Sequence, residues 1–205
     1  MSTVLPTGAP LVGRHVRLDP LTDADLPELA HLLRAPEVYG SGYVMHRSPT
    51  DEQDALRLAG ERFRSGPSRL PYAVRLAADT ALGSAGTLVG TSALLDADLW
   101  NERIHVGSTL YGPRWWGTAV NPEAKLLLLG HCFDACGYGR VKIQTDLLNT
   151  RSQAAIARLG AVREGVLRRH VRREDGTFRD TVVFSVLREE WPQVRQGLQA
   201  RLPDA

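Results

Sequence analysis

Two periodicities alternate along the chain, and their order outlines its elements. Arg14 to Leu18 alternates as a strand. Thr22 and Asp25 have the spacing of a capping box, opening a helix on which Leu26, Leu29, Ala30 and Leu33 share one face. A second helix is predicted from Asp51 to Arg64. Between the two, Pro36 to Pro49 is rich in glycine and aromatics and reads as a loop placed to line a site. Three strand-like runs follow, Tyr72 to Ala78, Thr87 to Leu94 and Arg103 to Leu110, joined by short polar connections as in an antiparallel meander. Asn121 before Pro122 and Glu123 predicts an N-cap with proline at the first helical position, in a helix that ends before Gly137. Val141 to Leu147 is the next strand. Asn149 or Thr150 caps a helix through Leu159, with Gly160 as its C-cap. A hairpin closes the pattern, Val162 to Arg172 and Arg179 to Leu187 around Asp175-Gly176, and a last helix follows Glu189.

Runs of strands with helices between some of them predict an α+β fold, one sheet covered by helices and not a doubly wound repeat. A chain of 205 residues suits a single domain, at about 100 to 200 residues each, expected over 11–205. Residues 1–10, with Pro6, Gly8 and Pro10 and little periodicity, read as an N-terminal arm that is disordered or packed on a neighbour. Hydrophobic residues at 43% and charged residues at 23% exclude a disordered chain. The formal charge of +2 implies no general attraction to nucleic acid or to an anionic membrane. Cys132 and Cys136, four apart on one helix face, fit neither a zinc knuckle nor a C-x-x-C pair, so they are expected in the core. No metal site is expected, and a reducing, cytoplasmic location is the default. The start lacks the basic and apolar regions of a signal peptide, and the apolar run Leu126 to Leu129 is too short to span a bilayer.

Chemistry concentrates in Leu110 to Lys125, L-Y-G-P-R-W-W-G-T-A-V-N-P-E-A-K. A strand ends at Leu110, a turn with Arg114, Gly117 and Ala119 follows, and a helix begins at Asn121. Free backbone N–H groups therefore converge at the positive end of a helix, which suits a phosphate. Gly117 and Ala119 are small enough for close approach, and Arg114 and Lys125 are near enough in sequence to add charge. Neither a Walker motif nor the three-glycine dinucleotide fingerprint is present.

The run R-W-W-G-T-A, Arg114 to Ala119, resembles the R/Q-x-x-G-x-G/A motif of the GNAT superfamily of N-acetyltransferases. Around it, N-P-E-A-K-L-L-L-L-G-H-C-F, T-D-L-L-N-T-R-S-Q-A-A-I-A-R-L-G-A and R-E-G-V-L-R-R-H are similar to the RimJ/RimL branch, which includes enzymes that acetylate protein N-termini such as those of ribosomal proteins, while amino acids, polyamines and antibiotics stay open as acceptors. The likeness runs from about Val12 to Trp191 and is strongest from His105 to Val186. It implies a mixed, mostly antiparallel sheet of about seven strands flanked by helices and splayed between the fourth and fifth strands. Acetyl-CoA is the implied donor and a primary amine the acceptor. By the same resemblance, the backbone of Trp116, Gly117, Thr118, Ala119 and Val120, with Asn121, surrounds the pyrophosphate in a loop that Arg114 opens. Leu110 and Tyr111 would bond the pantetheine and offer an N–H to the thioester oxygen. Asn149 and Ser152 match the branch's N-x-x-S element, asparagine on the pantetheine and serine near the sulfur. A homodimer is the family-level expectation.

Aminolysis of a thioester needs a base for the ammonium proton, an N–H for the oxyanion and an acid for the departing thiolate. Ser152 is the candidate acid. Where the branch often carries a glutamate before I-G-Y, this chain reads His105-Val106-Gly107-Ser108, so His105 replaces the acid as candidate base, with Glu102 and His170 as alternatives. The basic cluster Arg168, Arg169, Arg172 and Arg173, interleaved with Glu174 and Asp175, reads as a solvated hairpin face. Two other functions fit the same residues. One is a CoA-binding regulatory protein that has lost catalysis, motivated by the missing glutamate. The other is transfer from another donor such as succinyl-CoA, which requires cationic groups near the thioester end.

Overall fold

The computed structural model describes residues 2–39, 47–63 and 68–203. Its strands are β1 (Leu11–Val12), β2 (Val16–Pro20), β3 (Arg69–Leu76), β4 (Leu88–Asp98), β5 (Arg103–Tyr111), β6 (Arg140–Asp146), β7 (Val162–Arg172) and β8 (Phe178–Leu187). Its helices are α1 (Leu26–Leu33), α2 (Pro36–Tyr39), α3 (Glu52–Phe63), α4 (Val120–Gly130), α5 (Thr150–Ala157) and α6 (Trp191–Gln199). The strands form one sheet in the order β1-β2-β3-β4-β5-β6-β8-β7. All neighbours are antiparallel except β5 and β6, which run parallel. This is the expected α+β architecture with eight strands in place of about seven. The additional strand is β1, where Leu11 and Val12 pair with Leu18 and Arg17.

The preceding arm also differs from expectation. It docks on its own chain, with the Val4 N–H donating to the Cys136 carbonyl at 2.9 Å and the Thr3 hydroxyl to the Gly137 carbonyl at 3.0 Å. These bonds use carbonyls left over where the long helix ends, so the arm supplies donors that the helix end lacks. Part of the predicted loop at Pro36 to Pro49 is helical, as α2, and 40–46 lie outside the described residues.

α4 starts two residues before the predicted position and is not capped by Asn121. The Thr118 hydroxyl donates to the Trp115 carbonyl at 2.7 Å and accepts the Val120 N–H at 3.3 Å, closing the turn early. Ala119 is the N-cap, and Asn121 and Pro122 fall inside the first turn, where proline's missing N–H has no helical partner to lose. After Gly130 the helix widens into a π turn over His131–Ala135, and Gly137, at φ +72°, follows its end. Side chains such as Ile104, Val106, Leu128, Leu129 and Val186 fill a core that contains Cys132 and Cys136. Burial pushes both thiols toward the protonated form.

One buried carboxylate ties the sheet edge to α4. Glu123 accepts the backbone N–H groups of Arg14, His15 and Val16 at 2.9, 2.6 and 2.6 Å. The position of the helix start relative to β1 and β2 is thereby fixed, and that start forms the mouth of the cleft described next.

Candidate active site

β5 and β6 pair only over Arg103–His105 and Arg140–Lys142. Beyond those residues β5 continues to Tyr111 and β6 to Asp146 without a shared ladder, so the sheet opens as a wedge. The wedge is a cleft of about 1070 Å³. Val106 to Tyr111 form one wall, Ile143 to Asp146 with Asn149, Ser152 and Ile156 the other, and the Trp116 to Ala119 turn with the start of α4 lies at its mouth.

At the mouth, Gly117 adopts φ +77°, and a Cβ built there would meet nothing within 4 Å. The glycine is thus dictated by the left-handed backbone and leaves open room above the turn. The N–H groups of Gly117, Thr118, Ala119 and Asn121 have no acceptor among the described residues. Unclaimed donors at a helix N-terminus form a nest for an anion. The turn is held from behind by the Trp116 indole, which donates to the Tyr111 carbonyl at 2.9 Å, and the Arg151 guanidinium lies 3.7 Å from the centre of the same ring. Trp115 is buried core.

Not every residue expected at the mouth faces it. Val120 is buried and its N–H is taken by Thr118, while Arg114 sits 5.4 Å from the Trp115 ring centre and does not line the cleft. Lys125 lines the cleft but adds no charge at the turn, because its side chain is 4% exposed and its Nζ is bonded to hydroxyls within the wall. The cationic rim comes instead from Arg151 of α5, Arg158 at its C-cap, Arg179 of β8 and Arg201 after α6. Asp146 is the one acid among the described lining residues, and it is paired with Arg173. Such a cleft presents positive potential to an anionic ligand. In a chain with 23 arginines, nothing in the local sequence separates these from surface arginines; the register of β8 and the path of the C-terminal turn decide it.

The wall of β5 carries a bulge. Thr91 pairs with Leu110 and Ala93 with Gly107, so the single residue Ser92 faces both Ser108 and Thr109. Ser108 takes φ +48°, and the bulge turns the Thr109 hydroxyl to within 2.8 Å of the Ser92 hydroxyl. Leu110 and Tyr111 follow directly, at the cleft wall.

On the opposite wall, Asn149 caps α5, its side-chain oxygen accepting the Ser152 N–H at 2.9 Å. Capping therefore falls to Asn149. The Ser152 hydroxyl, at the cleft, has no hydrogen-bond partner among the described residues.

The candidate bases are placed less favourably. His105 lies behind the wall, where its Nε2 would be 2.6 Å from a Cβ on Gly107, so the absence of that atom is what admits the ring. Burial, reinforced by Lys142, pushes its pKa down to about 4 despite Asp96, whose carboxylate is 3.4 Å from Nδ1. Glu102 precedes β5 at the closed end of the wedge, its side chain beside Arg188 and Gly139, away from the cleft. His170 is on the outermost strand, β7, bonded to Thr181 at 3.0 Å. Among the described residues no three His, Cys, Asp or Glu side chains are grouped to hold a metal, and no helix is long and apolar enough to cross a membrane.

Residues 15–162 match the family model of the acetyltransferase (GNAT) domain, and the chain belongs to that family. A solved structure assigned as an acetyltransferase is 40% identical, covering 98% of this chain and 98% of its own, with a TM-score of 0.82. Another, from T. thermophilus, is 37% identical over 98% of this chain and 100% of its own, with a TM-score of 0.83. RimJ of Mycobacterium smegmatis, solved in complex with CoA-disulfide, is 21% identical over 94% of this chain and 92% of its own at a TM-score of 0.70, a likeness of fold alone. No curated protein matches the chain.

Proposed function

We propose that the protein is an N-acetyltransferase that moves the acetyl group of acetyl-CoA directly to a primary amine, with donor and acceptor bound together in the cleft. The observation that carries this reading is the set of unclaimed N–H groups at Gly117, Thr118, Ala119 and Asn121, at the mouth of a wedge whose far wall offers Asn149 and Ser152. The turn suits a pyrophosphate, and the space between β5 and β6 suits an extended pantetheine arm. The Leu110 or Tyr111 N–H is the proposed oxyanion donor. Ser152 is the proposed acid toward the departing thiolate.

The acceptor is proposed only as a primary amine, a peptide N-terminus in the RimJ/RimL manner or a small molecule, in a cytoplasmic enzyme that forms a homodimer. The test is calorimetry with CoA and acetyl-CoA, followed by thiol release across amines that include peptides, amino acids and polyamines. Absence of heat with CoA overturns the reading. Binding without turnover on any amine favours a CoA-binding regulatory protein, for which the buried, weakly basic His105 speaks. Competition between acetyl-CoA and succinyl-CoA fixes the donor, the cationic Arg179 in the cleft being the feature that favours an acidic acyl group. Light scattering fixes the oligomeric state.

A further inference from the structure

Of the 25 basic residues in the chain, 23 are arginines and only Lys125 and Lys142 are lysines. Arginine stays charged in any protein environment, whereas lysine gives up its proton when buried. One of the two lysines stands in the cleft wall at 4% exposure. Its Nζ has two partners, the Thr109 hydroxyl at 2.7 Å and the Ser92 hydroxyl at 3.2 Å. Neither is charged, and no carboxylate is within salt-bridge distance among the described residues. A buried ammonium with only hydroxyl partners is a costly arrangement, and the free amine is not. The bulge at Ser108 and Thr109 creates this contact, and Thr109 itself is exposed on the cleft side. Its hydroxyl thus links the lumen to Nζ.

We infer that Lys125 and Thr109 form the proton path of the acyl transfer, the lysine amine receiving through the threonine hydroxyl a proton shed by the incoming amine. The inference rests on the transferase reading above. The reaction converts an ammonium and a thioester into an amide, a thiol and one proton. The ammonium gives a proton to Thr109 Oγ1 as the hydroxyl passes its own to Nζ. The freed lone pair then forms the C–N bond, the C–S bond breaks, and the electron pair leaves on sulfur. The second nitrogen proton balances the thiolate, and Lys125 returns the first to solvent.

The surroundings support an amine at rest. Burial pushes the Lys125 pKa down to about 7, against a smaller opposing pull from Cys132 on the same helix. On β5 the titratable group that senses the lysine is His105, a neutral ring behind the wall, and from β4 the partner is the Ser92 hydroxyl. On the β1 and β2 side, Glu123 is committed to the backbone of Arg14 to Val16, and on the α6 side Asp134 is committed to Trp191 and Arg195. A base near pH 7 is matched to the task, which the weaker His105, behind the wall and off the cleft lining, is not.

The test compares the full chain with Lys125→Met, Lys125→Arg, Thr109→Val and Thr109→Ser, reading thiol release from acetyl-CoA between about pH 5.5 and 9 with the best amine of the panel. Water serves as acceptor if no amine turns over. The wild type is expected to show an acid limb in kcat/KM with its midpoint near 7. Lys125→Met, Lys125→Arg and Thr109→Val should lose that limb and about 100-fold or more in rate, with CoA affinity within a few-fold, while Thr109→Ser retains both. Because there are two lysines, side-chain NMR of lysine-labelled protein gives an independent reading: one signal titrating near 7, and absent in Lys125→Met. An unchanged acid limb in Lys125→Met or Thr109→Val, or both lysines titrating near 10, overturns the inference. Thiol release that is undetectable for every acceptor at every pH, with CoA still bound, also overturns it; loss of CoA binding in the wild type instead overturns the transferase reading.

Discussion

The Glu123 clamp provides a stability test whose size follows from three hydrogen bonds and one missing methyl group. In Glu123→Ala the Val16 N–H, on a fully buried residue, loses its acceptor outright. The donors of Arg14, which is exposed, and His15, which is half-buried, can be rehydrated. One stranded donor at about 1 to 3 kcal/mol, plus two charge-assisted bonds exchanged for water, gives a loss of about 3 kcal/mol. For a chain of this length that lowers Tm by about 6 to 12 °C. Gly13 presses on the same carboxylate: a Cβ there would lie 2.6 Å from Glu123 Cδ and 2.8 Å from Oε2. Gly13→Ala therefore displaces the acceptor from its donors, at a cost of about 1 to 3 kcal/mol.

Once Glu123 is alanine, the atoms that Cβ meets are gone. The same Gly13→Ala change should then cost little, or stabilise by about 0.4 to 1 kcal/mol through the unfolded chain. Urea denaturation of the wild type, both single variants and the double variant measures the coupling. It is expected at about 1 to 3 kcal/mol, with the double variant no less stable than Glu123→Ala. Additivity within about 0.5 kcal/mol would refute the reasoning, since neighbours sharing one carboxylate cannot act independently.

Three further outcomes are expected. Gly117→Ala should cost about 1 kcal/mol from its left-handed backbone with a modest loss of CoA affinity by calorimetry, whereas Gly117→Glu, putting an anion above the nest, should abolish CoA binding while far-UV circular dichroism stays unchanged. Ser152→Ala should lower kcat about tenfold or more with the Kd for CoA nearly unchanged, and an equal rate removes Ser152 from the mechanism. Asp25→Asn should destabilise the protein by about 1 to 3 kcal/mol at pH 7 and much less at pH 3. Burial, the largest single influence, favours the protonated acid, but Thr22 and Arg75 together outweigh it and hold the Asp25 pKa below its usual value. That contribution is present above the unfolded value of about 3.9 and lost as pH falls through the lower folded value, so a deficit as large at pH 3 as at pH 7 in urea titrations counts against it.

Local sequence revealed what local physics decides. The capping box at Thr22 and Asp25, the cap at Asn149, the turn at Asp175-Gly176 and the alternation of β2 each depend on residues within a few positions, and each element lies close to where periodicity put it. The Gly117 turn was legible because a strand, a left-handed glycine and a helix start follow one another in the chain. The helix boundary at Ala119 was not, since Thr118 competes with Asn121 through a 2.7 Å bond to Trp115 that spacing alone does not rank. β1 and the docked arm were hidden because their partners, Leu18 and Cys136, are supplied by tertiary packing.

The chemistry inside the wedge was the least legible part, for a geometric reason. Strict alternation along β5 would put His105, Gly107 and Thr109 on one face, and it is the resemblance, through the glutamate that His105 replaces, that singles out His105 as the candidate base. A bulge breaks the alternation between Gly107 and Thr109 by setting two residues against Ser92. His105 then stays behind the wall while Thr109 turns toward Lys125, so one extra residue reassigns which side chain can communicate with the cleft. The bulge leaves little mark in the sequence beyond Gly107-Ser108, yet the choice of lysine at 125, in a chain with 23 arginines and one other lysine, is a mark of the environment it creates. An arginine there would have to bury a permanent charge among hydroxyls, and a methionine would leave Ser92 and Thr109 facing carbon; a lysine free to shed its proton satisfies both.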